Sequence, residues 1–243
     1  MALNRTVLLA AVALAALTAR LGVWQLDRAT QKEQLQAALD RQAALPALAP
    51  ADLPRAAAQV PALQHRRARL QGHWLDGQSI YLDNRPLAGR SGFYLVTPLQ
   101  LDDGTAVLVQ RGWIPRDAQD RSRVAPPPPT TAAVAVVVGR IAPALARLYE
   151  FEAGASGSIR QNLDIDAYAR ETGRSLRPWV LIQLDGADAA AAPADALLRR
   201  WPEPSAGVHK HYGYAFQWFS LSALTIGLYV WFQLIRPRRR RAA

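Results

Sequence analysis

Residues 212–235 read YGYAFQWFSLSALTIGLYVWFQLI, with no charged side chain, and arginines follow at 236 and 238–241. At about 1.5 Å rise per residue, a helix of this length crosses a hydrocarbon core of about 30 Å. A chain carrying this run must therefore place part of itself in a bilayer and the rest in water. The pattern predicts a transmembrane helix over 211–235 and a basic tail over 236–243, held on the cytoplasmic side by its arginines. One histidine, His211, stands at the opposite mouth of the span. An ionisable, metal-ligating side chain at the head of a membrane helix marks a functional position.

A second apolar run occupies residues 6–26, after Arg5. A cleavable signal peptide has the same outline: a basic start, an apolar core and small residues. Here the apolar character continues past Arg20 through Leu21, Val23, Trp24 and Leu26. A retained anchor fits that better, with Arg20 snorkelling and Trp24 at an interface. The expected organisation is a cytoplasmic N-terminus (1–5), a first span (6–26), an extramembrane segment (27–210) and the second span. Both termini are expected in the cytoplasm of a bacterial cell, with the middle facing outward from its inner membrane.

Charge agrees with this division. The chain carries a formal net charge of +10. Yet residues 27–209 hold all 19 Asp and Glu and all but eight of the 29 Lys and Arg, so that stretch is nearly balanced. The excess positive charge reports topology, and no nucleic-acid partner is expected. The absence of cysteine excludes disulfides, thiol nucleophiles, Cys-ligated zinc and Cys-x-x-Cys-His haem attachment. The lone methionine, Met1, excludes a Met-rich copper relay.

Within the middle segment, helical periodicity runs on to about Leu45, where Pro46, Pro50, Pro54 and Pro61 forbid a long regular element. Residues 43–62 read as an Ala/Pro linker or loose surface segment, residues 186–196 likewise, and Pro126–Pro129 as a stiff connector. Runs rich in β-branched and aromatic residues predict strands over 66–74, 79–83, 92–101, 106–114, 131–141, 159–162 and 179–185. Asp102-Asp103-Gly104 is a hairpin signal. A short helix over 165–170 is expected between an Asp164 cap and Gly173. The fold class expected is thus a membrane protein: two transmembrane α-helices flanking a mainly antiparallel β (α+β) extramembrane domain.

No phosphate loop, dinucleotide fingerprint, zinc-protease motif or nucleophile elbow is present. Of the four histidines, His65 reads as a solvated loop residue and His73 as a strand surface residue. His209 and His211 would share a face on a strand but diverge on a helix. On a helix, His211 shares its face with Tyr214, Ala215, Trp218 and Ser222. Flat aromatic walls and a small residue beside an imidazole suit a large planar apolar ligand such as a haem. They equally suit an interfacial aromatic belt with an incidental histidine, and spacing alone favours the belt. On the first helix, Arg20, Trp24, Arg28 and Lys32 recur every four residues. They are either snorkelling anchors or a cationic face for the carboxylates of an amphipathic ligand.

Four blocks, in order along the chain, resemble one family, the Surfeit-locus cytochrome c oxidase assembly factors (Surf-one in bacteria and mitochondria, Shy-one in yeast). Residues 21–28, LGVWQLDR, followed by Lys32, resemble its Gly-x-Trp-Gln-x-x-Arg exit from the first helix. Asp83-Asn84-Arg85 with Gly89, Gly92, Thr97 and Pro98 resembles its Asn-Arg…Gly…Thr-Pro block. Residues 107–115, VLVQRGWIP, resemble its Val-Asn-Arg-Gly-Trp-Val-Pro block, with Gln110 replacing Asn. Residues 211–219, HYGYAFQWF, resemble its His-x-x-Tyr-Ala-x-x-Trp-Phe motif, although His209 and Lys210 stand where the family has Asn-Asn.

The resemblance implies a two-span inner-membrane protein that helps build the haem a-containing subunit I of a haem–copper oxidase. It implies a chaperone of respiratory-chain biogenesis and no enzyme. It implies transient haem a as the cofactor, with His211 as iron ligand. The helix faces read above then put Tyr214, Trp218, Trp24 and Arg28 around it. The hydrocarbon tail is expected against Ala215, Phe219 and lipid, and the propionates towards Arg28 or Lys32. The partners implied are subunit I, a haem a synthase and the lipid bilayer. Asn84, Arg85, Arg111, Gly112 and Trp113 are expected to be fold determinants or a partner surface, with fold the favoured role. The competing class is a membrane scaffold that stabilises an oxidase intermediate and never binds haem. A membrane-anchored enzyme is disfavoured, because no nucleophile–base or metal constellation occurs.

Overall fold

The computed structural model describes residues 5–117, 124, 126, 134–149, 157–185, 197–202 and 207–238. In chain order the elements are helix α1 (Arg5–Ala44), a short helix α2 (Val60–Leu63), strands β1 (Arg67–Trp74), β2 (Ile80–Leu82), β3 (Gly92–Leu101), β4 (Ala106–Pro115), β5 (Ala135–Ala142) and β6 (Ile159–Arg160), helix α3 (Ile165–Thr172), strand β7 (Leu176–Gln183) and helix α4 (Val208–Val230). Helix α4 continues through a π-helical turn, Trp231–Ile235, to Arg238. The chain forms two compact units. One is Leu39–Trp201; the other combines Met1–Ala38 with Pro202–Ala243.

In the β unit the strand order is β1-β5-β7-β4-β3-β2-β6. Strand β1 also pairs with β3, so five strands close a ring and β2 and β6 extend from the first half of β3. Ring closure removes the exposed edges that an open sheet would present. Most pairings are antiparallel, as expected, but β4–β7 and β2–β6 run parallel. The strand expected over 92–101 spans those residues, and the turn after it relies on Gly104 at φ 79°. Residues 131–133 of the fifth expected strand, residues 186–196 and most of the Pro126–Pro129 connector lie outside the described residues.

Alternation on β1 turns Ala68, Leu70 and Gly72 inward. Ala68 and Leu70 join Leu99, Val107, Val109, Val137, Ile141, Trp179 and Leu181 in one core cluster. The opposite face of β3 and β4 is also buried, against Tyr168 of α3, Leu163 and Leu145 among others. Asp164 caps α3 by accepting from the Ala167 N–H, and Gly173 ends the helix at φ 66°.

The proline-rich segment 43–62 differs from its expectation. Leu48, Leu53 and Val60 are part of the core, and the Pro54 carbonyl accepts from the Trp179 indole at 2.8 Å. Prolines forbid regular hydrogen bonding but not packing. Their fixed φ holds the segment close to the conformation it needs.

In the helix unit, both helices are long and apolar enough to cross a membrane. Alanine- and leucine-rich sequence with no proline before Pro46 lets α1 run without a break. Shielded positions on α1 recur at 11, 15, 18, 22, 25, 29, 32 and 36; on α4 they recur at 211, 215, 218, 222, 225 and 229. Alternating steps of three and four are the spacing of a left-handed helix pair. The buried members of the stripe are small or polar (Ala15, Thr18, Gly22, Ala215, Ser222), whereas Leu9, Val12, Leu17, Phe216, Leu224 and Ile226 point outward. Burial of large apolar groups therefore falls to lipid.

Candidate functional site

The N-terminal turns of α4 and the middle of α1 meet through polar side chains. Nδ1 of His211 lies 2.7 Å from Oε1 of Gln25. One residue on, the Tyr212 hydroxyl donates to Glu33 at 2.8 Å. Further along the pair, Ser222 Oγ donates to the Ala15 carbonyl at 2.9 Å. Gly22 permits close approach: a Cβ there would sit 2.8 Å from the Phe219 ring. Ala15–Ser222, Gly22–Phe219 and Gln25–His211 run antiparallel, rising numbers on α1 meeting falling numbers on α4.

His211 is half-buried on this shielded stripe, and Trp218, two turns along, shares it. Tyr214 lies off the stripe, 51 % exposed, and Trp24 is 54 % exposed. Arg28 is exposed and donates to Gln31 Oε1 at 3.0 Å. The space expected beside Ala215 is not open. Ala215 is only 2 % exposed and lies between His211 and Ser222, both bonded to α1. Open apolar volume lies further along, where α1 offers Ala11, Ala15 and Ala19 opposite Ser222, Ile226 and Tyr229. They line a groove of about 410 Å³.

Sequence reasoning passed over Gln25. Its signal was the seven-residue recurrence of small or polar side chains at 11, 15, 18, 22 and 25, which defines the face of α1 that meets α4. The face considered instead, Arg20–Trp24–Arg28, is exposed at all three positions.

The second group of expected residues lies in the β unit. Leu95 is paired with Gly112 and Val96 with Gln110, so Arg111 is the extra residue of a β-bulge. The bulge turns its side chain inward. Arg111 is 4 % exposed, stacks over Trp74 at 4.5 Å and reaches Asp76 at 3.4 Å. Gly112 passes so near the chain at Leu197 that a Cβ would stand 2.6 Å from the Leu197 Cβ. Trp113, 2 % exposed, donates its indole N–H to the Arg85 carbonyl at 2.6 Å.

Arg85 is 3 % exposed and donates to two carbonyls, Ala146 at 2.9 Å and Gln161 at 2.8 Å, with its guanidinium over the Tyr94 ring. Burial lowers the pKa of Arg85 and raises that of Tyr94. An arginine stays charged even so, and the carbonyl dipoles offset its lost hydration. Asn84 is exposed and takes φ 58°, a left-handed turn conformation that asparagine tolerates.

The other histidines lie apart from this group. His65 is not the solvated loop residue expected. It is half-buried at φ 69°, and its N–H donates to the Ile141 carbonyl. Burial, and then the charge of Arg140, lower its pKa. His73 is exposed on β1, and His209 is exposed on the first turn of α4. His209 and His211 thus sit on a helix, where they diverge. Among the described residues no cluster of three or more His, Cys, Asp or Glu could hold a metal ion.

Comparison with known proteins places these features in one group. The SURF1 family model matches residues 12–223. A SURF1-like protein of Rickettsia bellii is 27 % identical over 212 residues, covering 86 % of this chain and 83 % of its own length. Surfeit locus protein 1 of Rattus norvegicus is 27 % identical over 235 residues, 88 % of this chain and 70 % of its own. Cytochrome oxidase assembly protein SHY1 of Saccharomyces cerevisiae is 32 % identical over 109 residues, 44 % of this chain and 26 % of its own.

Proposed function

Because the chain belongs to the SURF1 family, we propose that it is an assembly factor for a haem–copper (cytochrome c) oxidase, and that it holds haem a for delivery to subunit I. Family membership over most of the chain carries the assembly role, together with the name of the yeast relative. His211 carries the haem role. Among the described residues it is the one imidazole on the facing stripes of the helix pair. One ring nitrogen is engaged by α1, and the other has no partner among the described residues.

Haem a is the cargo in this reading, and no chemistry is done on it. Imidazole supplies one axial bond to iron. The exposed rings of Tyr214 and Trp24 flank the ligand, and Arg28 faces its propionates. Phe219 and the groove beside Ala15 and Ser222 take its hydrocarbon tail, since Ala215 is closed off. A single protein ligand favours release to the oxidase, because affinity is set mainly by the rate of leaving. The helices span a bacterial inner membrane, with both termini in the cytoplasm and residues 27–210 outside. The arginines at 236 and 238–241 support that sense.

His211→Ala tests the haem role. Abundance and membrane insertion are expected to be unchanged, since a half-buried histidine contributes little burial. The haem Soret band of protein produced alongside haem a synthesis is expected to vanish or shift, and oxidase haem content to fall. An unchanged spectrum and stoichiometry would replace this reading with the scaffold that stabilises an oxidase intermediate without haem.

A further inference from the structure

We infer that Gln25 is a positioning residue that sets the tautomer of His211, and through it which ring nitrogen is offered to a metal. The inference rests on the reading of His211 as an iron ligand. It starts from one bond, Nδ1 of His211 to Oε1 of Gln25 at 2.7 Å, closed between two different helices.

A neutral imidazole carries one N–H and one lone pair, and the hydrogen bond at one nitrogen decides where each resides. An amide oxygen can only accept. Facing Oε1, Nδ1 must therefore carry the proton, and the lone pair is left on Nε2. The two nitrogens lie on opposite sides of the ring, so Nε2 points away from the bond to α1. The bond also fixes the ring plane, which a histidine on a lone helix would not have. Gln25 can do this because its position belongs to the shielded stripe of α1, with Gly22 and Ala29 on either side. Gly22 brings the helices together nearby, where its missing Cβ makes way for Phe219. A glutamine turned the other way would donate to Nδ1 and put the proton on Nε2, which blocks that nitrogen as a ligand. Outer partners of ligating histidines typically alter metal affinity by about 10–100-fold.

The test uses the full chain in lipid nanodiscs with ¹⁵N-labelled histidine, the His211 signals being assigned by their loss in His211→Ala. In haem-free protein with a neutral imidazole, Nδ1 of His211 is expected to be protonated and Nε2 bare. Gln25→Leu is expected to move the population towards Nε2–H. Titration with haem a is then expected to show Gln25→Leu binding about 10–100-fold more weakly than wild type. Gln25→Glu keeps the acceptor. It is expected to preserve the Nδ1–H tautomer, bind at least as tightly as wild type, and lower the haem midpoint potential. It also serves as the second variant if Gln25→Leu fails to insert.

A wild-type His211 protonated at Nε2 would overturn the inference, as would Gln25→Leu with wild-type tautomer and affinity. Wild-type protein that shows the Nδ1–H tautomer but takes up no haem would overturn the ligand reading itself, and would leave Gln25 a clamp between helices.

Discussion

The β unit and the helix unit hold themselves together in opposite ways. The β unit buries large side chains, among them Trp113, Trp179, Phe93 and several leucines. It tolerates buried arginines by giving each a carbonyl, a carboxylate or an aromatic face. The helix unit turns its large side chains outward and joins its helices through alanine, glycine, serine and a few polar bonds. Water drives the first arrangement, because each apolar surface removed from it contributes. Lipid cannot drive the second, because its tails are as apolar as leucine. Substitutions in the β unit should therefore act on stability, while those in the helix unit should act on geometry.

The largest expected effect is at Trp113. Trp113→Ala removes a buried ring and orphans the Arg85 carbonyl. It should cost about 3–5 kcal/mol and lower protein abundance together with oxidase activity. Lost activity at wild-type abundance and melting temperature would break the comparison and mark Trp113 as a partner contact. Next comes Arg85→Met, which leaves the carbonyls of Ala146 and Gln161 without their donor. A cost of about 1–3 kcal/mol should appear as a lower denaturant midpoint with an unchanged slope.

Ser222→Ala sharpens the other side. Interhelical hydrogen bonds in membranes average about 0.6 kcal/mol. The variant should keep its abundance and differ only in the distance between spin labels on α1 and α4. Collapse of the whole protein would show that the seam is as critical as the core.

The smallest effect concerns acid. Asp103 is held below the ordinary 3.8 by the Thr105 hydroxyl, then by the Thr105 N–H, and also by Arg177. A carboxylate with a depressed folded value contributes stability above its unfolded value, and that contribution is lost as pH falls through the folded one. Asp103→Asn should thus lower the melting temperature slightly at neutral pH, and the difference from wild type should vanish in strong acid. Asp103 is the exposed partner of a buried Arg177, so salt should shrink the difference in part.

Much of the β unit was legible because its signals are local. The strand over 92–101, the Asp102–Gly104 hairpin and the caps of α3 each depend on residues within a few positions. Strand β7 was harder. It begins at Leu176, and sequence reasoning began it after Pro178, whose missing N–H argues against a strand. The register between β4 and β7 breaks at this point, so a residue that cannot donate is accommodated. The proline-rich segment 43–62 misled for a similar reason: its core contacts come from Leu48, Leu53 and Val60, and no periodicity marks them. In the candidate site His211 was legible, as a charge-capable side chain at the end of an apolar run. Gln25 was not, because its importance lies in a bond to a residue 186 positions away.

That separation has a consequence in time. Strands β4 and β7 pair across the segment that contains β5, β6 and α3, a topology whose folding is expected to take milliseconds to seconds. The bond between α1 and α4 joins the first element to the last. Closing so long a loop costs little more than closing a shorter one, since the entropy grows only with the logarithm of length. It cannot begin, however, until synthesis has passed His211. The ring of strands lies within residues 67–183 and does not wait for that bond. The contact between α1 and α4 therefore comes into being last.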